Sequence, residues 1–211
     1  MKKFITTISL QGNDLNPVHY NAMDNESLIC NKKIAFPILA TINNFVSKNE
    51  KIIIVPVIIK GKIDGEVSNK NYELFLEELE EMKNDIGFEY DLLPVYKNGD
   101  ETVDTQIKLF SKLIGVVEKD DELFACLTYG TKPIPIIINM ALNYAYKVKE
   151  NVEIKKVVYG ARPWNAPPGS DIGEIYDVTP LFYIDSAINS LAKLKLTNPE
   201  DALRAMLGVE G

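Results

Sequence analysis

The apolar positions of this chain alternate between two periods, and that alternation predicts its elements. Phe4-Ile5-Thr6-Thr7-Ile8-Ser9-Leu10 is compact and β-branched and runs into Gln11-Gly12-Asn13-Asp14, which reads as a first strand and a loop. Between residues 16 and 33, His19-Tyr20-Asn21-Ala22-Met23 and Ser27-Leu28-Ile29-Cys30 flank Asp24-Asn25-Glu26, the pattern of a small hairpin excursion. Phe36, Leu39, Ile42 and Phe45 then recur at helical spacing, with Pro37 tolerated in the first turn because its missing N–H would be unpaired there. The run from Lys51 to Ile59 is continuously apolar, as in a strand covered on both faces, although Pro56 removes one ladder donor. Tyr72, Phe75, Leu76, Leu79, Met82 and Ile86 mark one face of a helix that stops at Gly87. Glu73, Glu77, Glu78, Glu80 and Glu81 form its expected solvated face.

The second half repeats the alternation. Tyr90 to Tyr96 reads as a strand, and Asn98-Gly99-Asp100 turns into a helix with Asp100 as its expected N-cap and Val103, Ile107, Phe110, Ile114 and Val117 facing inward. Glu122 to Leu127 is a strand, residues 133–148 a strongly apolar helix, and residues 152–159 another strand. The Pro/Gly-rich stretch 160–170 predicts a mobile loop. A short strand over 174–178 follows. Thr179-Pro180 caps and opens a helix through about Leu194, and a last short helix begins near Asn198.

Strands alternating with helices at this spacing predict an α/β fold: a doubly wound, mostly parallel sheet of about six strands with helices on both faces. Residues 1–195 are expected to form one domain, and 196–211 a short helical tail. Such sheets bind ligands at the carboxyl ends of their strands, where the strand order reverses. That rule selects residues 9–13 after the first strand and 128–132 after the fourth. Neither loop is a GxGxxG or Walker sequence, so nicotinamide cofactors and ATP hydrolysis have no support and no cofactor is expected.

Composition narrows the function classes. With 211 residues, 46% of them hydrophobic, the chain is long enough to bury a full core without disulfides or metal. Its formal charge is -7 and its arginines are only Arg162 and Arg204, which argues against tracking along DNA or RNA, where clustered basic side chains neutralise many phosphates. Cys30, Cys126 and the single His19 have no companions at metal-ligand spacing, so no metal is expected and a cytoplasmic setting fits. The N-terminal apolar stretch is too short for a signal peptide. Neither apolar run, near 52–59 or 134–142, approaches the roughly 20 residues of a membrane span.

Thr128-Tyr129-Gly130-Thr131-Lys132 joins a buried strand to a helix start, where free N–H groups and the helix dipole favour a phosphate. Gly130 would let the backbone approach a ligand, the Thr128 and Thr131 hydroxyls would donate to phosphate oxygens, and Lys132 would add charge. The plainer alternative makes Thr131 an N-cap, Gly130 a turn and Lys132 a solvated cation. The next helix is apolar nearly all round, which requires cover from a second subunit or from the Pro-rich loop.

The segments Leu123-Phe124-Ala125-Cys126-Leu127-Thr128-Tyr129-Gly130-Thr131-Lys132-Pro133-Ile134-Pro135, Leu142-Asn143-Tyr144-Ala145, Val157-Val158-Tyr159-Gly160-Ala161 and Tyr176-Asp177-Val178-Thr179-Pro180-Leu181 together resemble the CRISPR-associated DxTHG-motif proteins. These belong to the CARF group, whose name denotes a CRISPR-associated Rossmann fold. The resemblance covers most of residues 1–195, with Ser9-Leu10-Gln11-Gly12 standing where the family has its first ligand loop. Cys126 replaces the motif's Asp and Tyr129 its His. The resemblance implies a homodimer whose two halves cradle a cyclic oligoadenylate, a tetra- or hexa-adenylate, the messenger of type III CRISPR defence. By motif match it assigns ligand contacts to Ser9, Leu10, Gln11 and Gly12 and to Thr128, Tyr129, Gly130, Thr131 and Lys132. Tyr129 is placed to stack on an adenine. Arg162 and Trp164 are the expected contacts from the 162–170 loop.

Two functions share that cradle. A sensor would pass ligand binding to a separate effector protein or to an effector part outside this sequence, since the RxxxxH pattern of the associated ribonucleases cannot occur with His19 as the only histidine. A ring nuclease would cleave the messenger without metal by aligning the ribose 2′-OH with the scissile phosphate, with Thr128 and Lys132 as catalytic candidates. Sensing is favoured, and with the lone His19 far from the motif a His-based acid–base pair is not expected, so any cleavage would be slow. A transcription regulator ranks last: the residues after Leu196 are too few, and not basic enough, for a winged helix.

Overall fold

The computed structural model describes residues 1–211 except 13–14, 62–63, 168, 195 and 209–211, and the side chains of those described except 64, 65 and 186. Its centre is β1 (Lys2–Thr7), which runs parallel to β4 (Lys51–Lys60) on one side and to β7 (Glu122–Cys126) on the other. Beyond β7 lie β8 (Glu153–Ala161), parallel, and β9 (Ile172–Asp177), antiparallel to β8. The chain is therefore an α/β protein with a mostly parallel mixed sheet flanked by helices.

The sheet has nine strands where about six are expected. One extra strand arises because the segment 90–96 is broken at Leu93-Pro94 into β5 (Glu89–Leu92) and β6 (Val95–Asn98), both parallel to β4. Proline has no N–H for the ladder and pushes the residue before it out of regular geometry. Pro56 of β4 sits opposite this interruption. Its neighbour Ile54 presents its carbonyl to Leu93 N at 2.9 Å, whereas Val57 turns the other way to Ile8 N at 2.9 Å. The missing Pro56 donor thus faces the gap between β5 and β6, which is how a central strand tolerates a proline.

The other two come from the excursion. Its first arm, β2 (Val18–Ala22), forms as expected but joins β9 in parallel. The return arm is β3 (Lys33–Ile34), antiparallel to β2, in place of Ser27–Cys30. Asn25 explains the difference: its side chain accepts from Ser27 N at 3.0 Å and caps a single 3-10 turn over Glu26–Leu28.

Alternate residues of each central strand feed two cores. Phe4, Ile54, Phe124 and Val158 pack under α1 (Ile38–Phe45) and α2 (Asp64–Ile86). Ile5, Val57, Ala125 and Val157 pack under α3 (Val103–Gly115), α4 (Pro133–Val148) and α5 (Thr179–Leu194). α6 (Pro199–Leu207) packs on α5 and has no buried residue; the expected boundary at residue 195 lies outside the described residues. No helix of the described residues is long and apolar enough to cross a membrane.

Two expectations for α3 are corrected. Its N-cap is Thr102, not Asp100; the Asp100 carboxylate instead accepts from the Thr102 and Thr105 hydroxyls at 2.6 and 2.7 Å, which lowers its pKa to about 2. Its buried face carries Thr105, Gln106, Leu109 and Leu113, while Val103 and Ile107 are 75% and 61% exposed.

Candidate functional site

Strand order reverses at β1, because its two neighbours leave on opposite sides, so the loops after β1 and β7 open a crevice at the carboxyl edge of the sheet. The loop after β1 is built inward. Ser9 is fully buried, its hydroxyl accepts from Gln11 N at 3.0 Å, and Asn71 of α2 donates to the Ser9 and Gln11 carbonyls, each at 2.8 Å. Ser9 therefore shapes the loop from inside. Leu10 packs against the α3–α5 core, and Gln11 and Gly12 reach the surface. Residues 13–14 lie outside the described residues.

The loop after β7 is anchored at both ends. The Thr128 hydroxyl accepts from Gly160 N at 2.7 Å and from Cys126 Sγ at 3.2 Å, tying β7 to the end of β8. The Thr131 hydroxyl donates to Glu101 Oε1 at 2.8 Å, and the same carboxylate takes the buried Lys97 ammonium at 3.0 Å and Gln106 Nε2 at 2.6 Å. The Lys97 and Thr131 hydrogen bonds hold the Glu101 carboxyl below its ordinary range against its partial burial. Between the anchors, Gly130 turns the chain with φ of +105°.

The backbone N–H groups of Tyr129, Gly130, Thr131 and Lys132 have no hydrogen-bond partner among the described residues. The first turn of α4 adds little to them. Pro133 and Pro135 have no N–H, and Ile134 N is used by Thr131 O at 2.9 Å. The free donors thus sit in the loop, just ahead of the helix, as successive amides around a positive-φ residue do in anion-binding nests. The Lys132 ammonium beside them is exposed and without an ion-pair partner among the described residues.

A cleft lies on each side of this loop. One, of about 310 Å³, is lined by Gln11, Tyr20, Thr128, Tyr129, Tyr159 and Arg162, among others. The other, of about 530 Å³, opens on the α4–α5 side and includes Lys132 and Tyr159. Tyr159 is 43% exposed and belongs to both. Tyr129, expected to stack on a base, is turned inward. Its hydroxyl donates to Ala35 O at 2.7 Å and its ring meets Phe36 edge-on at 5.7 Å, so it forms cleft floor. Arg162 lines the first cleft and donates to Ser170 O at 3.2 Å, whereas Trp164 stands fully exposed away from both clefts.

Beneath the first cleft lies a titratable cluster that periodicity alone does not reveal. Glu78 is not on a solvated face. Its Oε1 accepts from Ala35 N at 2.7 Å, its Oε2 is buried with no hydrogen-bond partner among the described residues, and desolvation raises its pKa to about 7. Burial likewise raises Tyr20 to about 12 and pushes the Tyr129 phenol and the Cys126 thiol up. These phenols and this thiol stay neutral near pH 7 and are poor bases there. Among the described residues no group of three or more His, Cys, Asp or Glu is arranged to hold a metal ion.

Fold and site together define a Rossmann-like α/β protein whose switch-point crevice presents free amides and a cation between two clefts. No protein-family model matches the chain, and no curated protein matches it.

Proposed function

We propose that this protein is a CARF-type receptor for cyclic oligoadenylate in type III CRISPR defence, with the ring held across a two-fold homodimer interface. The carrying observation is the run of unpaired amides at 129–132 beside the unpaired Lys132, set at the switch point between two clefts. Backbone amides hold phosphates without net positive charge, which reconciles a phosphate-rich ligand with a chain of formal charge -7. The dimer is supported by an apolar stripe without cover. Ile136, Met140 and Tyr144 follow one another at i+4 along α4, and Tyr144 meets Phe110 of α3 at 6.0 Å, next to the exposed Ile107. Contiguous exposed apolar surface of this kind marks an association face.

Sensing, with the signal passed to an effector, is favoured over cleavage. The Thr128 hydroxyl already accepts two hydrogen bonds, and the nearby phenols and thiol are held neutral. Excess protein incubated with cyclic tetra- and hexa-adenylate without metal, followed by chromatography, tests this. Intact ring recovered with the protein is expected. Linear products would assign the alternative, a ring nuclease with Thr128 and Lys132 aligning the scissile phosphate, and absence of binding would overturn the reading.

A further inference from the structure

The cleft on the α4–α5 side has walls quite unlike its rim. Leu127, Pro135, Val157, Val178 and Phe182 make an apolar pocket, with the Tyr159 ring at its edge. Two groups of hydrogen-bonding chemistry line it from α4 and the residue just before that helix, Asn139 and Lys132, and with Pro135 they lie on one stripe at i, i+3 and i+7 from Lys132. The Asn143 amide donates to the Asn139 carbonyl at 3.3 Å, but the Asn139 side-chain amide itself has no partner among the described residues. The pocket therefore offers apolar walls, one donor–acceptor pair and, about two helical turns back toward the free loop amides, one cation.

We infer that this cleft is a nucleobase subsite, in which Asn139 reads the edge of a purine and Lys132 with the 129–132 amides holds the adjoining phosphate. The volume of about 530 Å³ accommodates a purine with its sugar. Apolar and aromatic walls suit the faces of a base, which stack without regard to sequence. A side-chain amide presents a donor and an acceptor side by side, the pattern that pairs bidentately with adenine through its exocyclic amine and N7, an edge on which inosine presents two acceptors and mismatches the amide. A fatty chain would satisfy the walls and leave Asn139 unpaired. A second copy packed into the cleft would bury Asn139 and Lys132 without partners, which is costly.

The inference rests on the cyclic oligoadenylate reading and deepens it, so its test separates the two. Binding of cyclic tetra- and hexa-adenylate is compared with that of the same rings built from inosine, which have equal charge and size but a carbonyl in place of the exocyclic amine. The wild-type protein is expected to prefer the adenosine ring by about tenfold or more, the range of one bidentate contact. Asn139→Ala should lose that preference while keeping the inosine-ring affinity and the wild-type melting temperature. Lys132→Ala should weaken both rings equally and keep the ratio. A preference that survives in Asn139→Ala, or is absent from the wild type, overturns the subsite while leaving the receptor reading intact. Failure of the wild type to bind either ring overturns both. Asn139→Leu, which keeps the side-chain volume and the charge but neither donates nor accepts, is expected to lose the preference as Asn139→Ala does and so guards against a packing artefact.

Discussion

Gly130 is the residue on which the loop geometry depends most. At φ of +105° an L side chain is strained, and an added Cβ would stand 3.0 Å from Thr7 Cγ2 and 3.1 Å from Ile134 Cδ1. Gly130→Ala is expected to cost about 1–3 kcal/mol in urea denaturation and to abolish ring binding, because relief of the contact moves the free amides. Unchanged stability and binding would show that the loop does not need this turn. Glu78 makes the second residue-scale claim. Folding raises its pKa from an ordinary 4.5 to about 7, so the folded state holds the proton more tightly than the unfolded chain. Its contribution is full below about pH 4.5 and lost as pH rises through about 7, a fall of roughly 3 kcal/mol. Glu78→Gln keeps an acceptor for Ala35 N and should flatten the stability difference between pH 5 and pH 7.5 relative to wild type. A variant with the wild-type slope would assign the buried carboxyl an ordinary pKa. At this scale the sequence is only partly legible. Gly130 stands out by type, and Glu78 falls in step with Phe75 and Met82, a signal masked by the four glutamates around it. Asn71 and Asn139 carry no such mark, since an unpaired amide looks the same in sequence whether it points into solvent or into a cleft.

At the scale of elements, period proves more legible than facing. α4 begins at Pro133 and ends at Val148 as its apolar run predicts, and its excess of apolar residues does leave a stripe without cover. α3 also occupies the expected region, yet its inner face is rotated. The Asp100 and Glu101 hydrogen bonds to Thr105 and Gln106 draw a polar pair inward and turn Val103 and Ile107 out. Hydrophobic periodicity finds a stripe but does not say whether the sheet or another subunit covers it. That ambiguity has a direct test in Met140→Glu. The residue is 51% exposed, so the monomer should fold as before, while size-exclusion chromatography with light scattering should shift from dimer to monomer. A wild-type monomer, or a variant that remains a dimer, would place the association face elsewhere.

For the whole molecule, the strand–helix alternation makes the doubly wound class readable, and with it the crevice between the loops after β1 and β7. The sheet edge is less so. β2 and β3 come from a polar excursion whose pairing with β9 is nonlocal, and no window around residues 18–34 contains that information. Under the proposed function, a ring with two-fold symmetry held by the switch-point loops of two chains would sit on the axis that relates them. Isothermal titration of the protein with cyclic tetra- and hexa-adenylate, with the recovered nucleotide checked by chromatography, measures this most directly. One intact ring bound per two chains is the expected result; one ring per chain, or no heat with either ring, would contradict it.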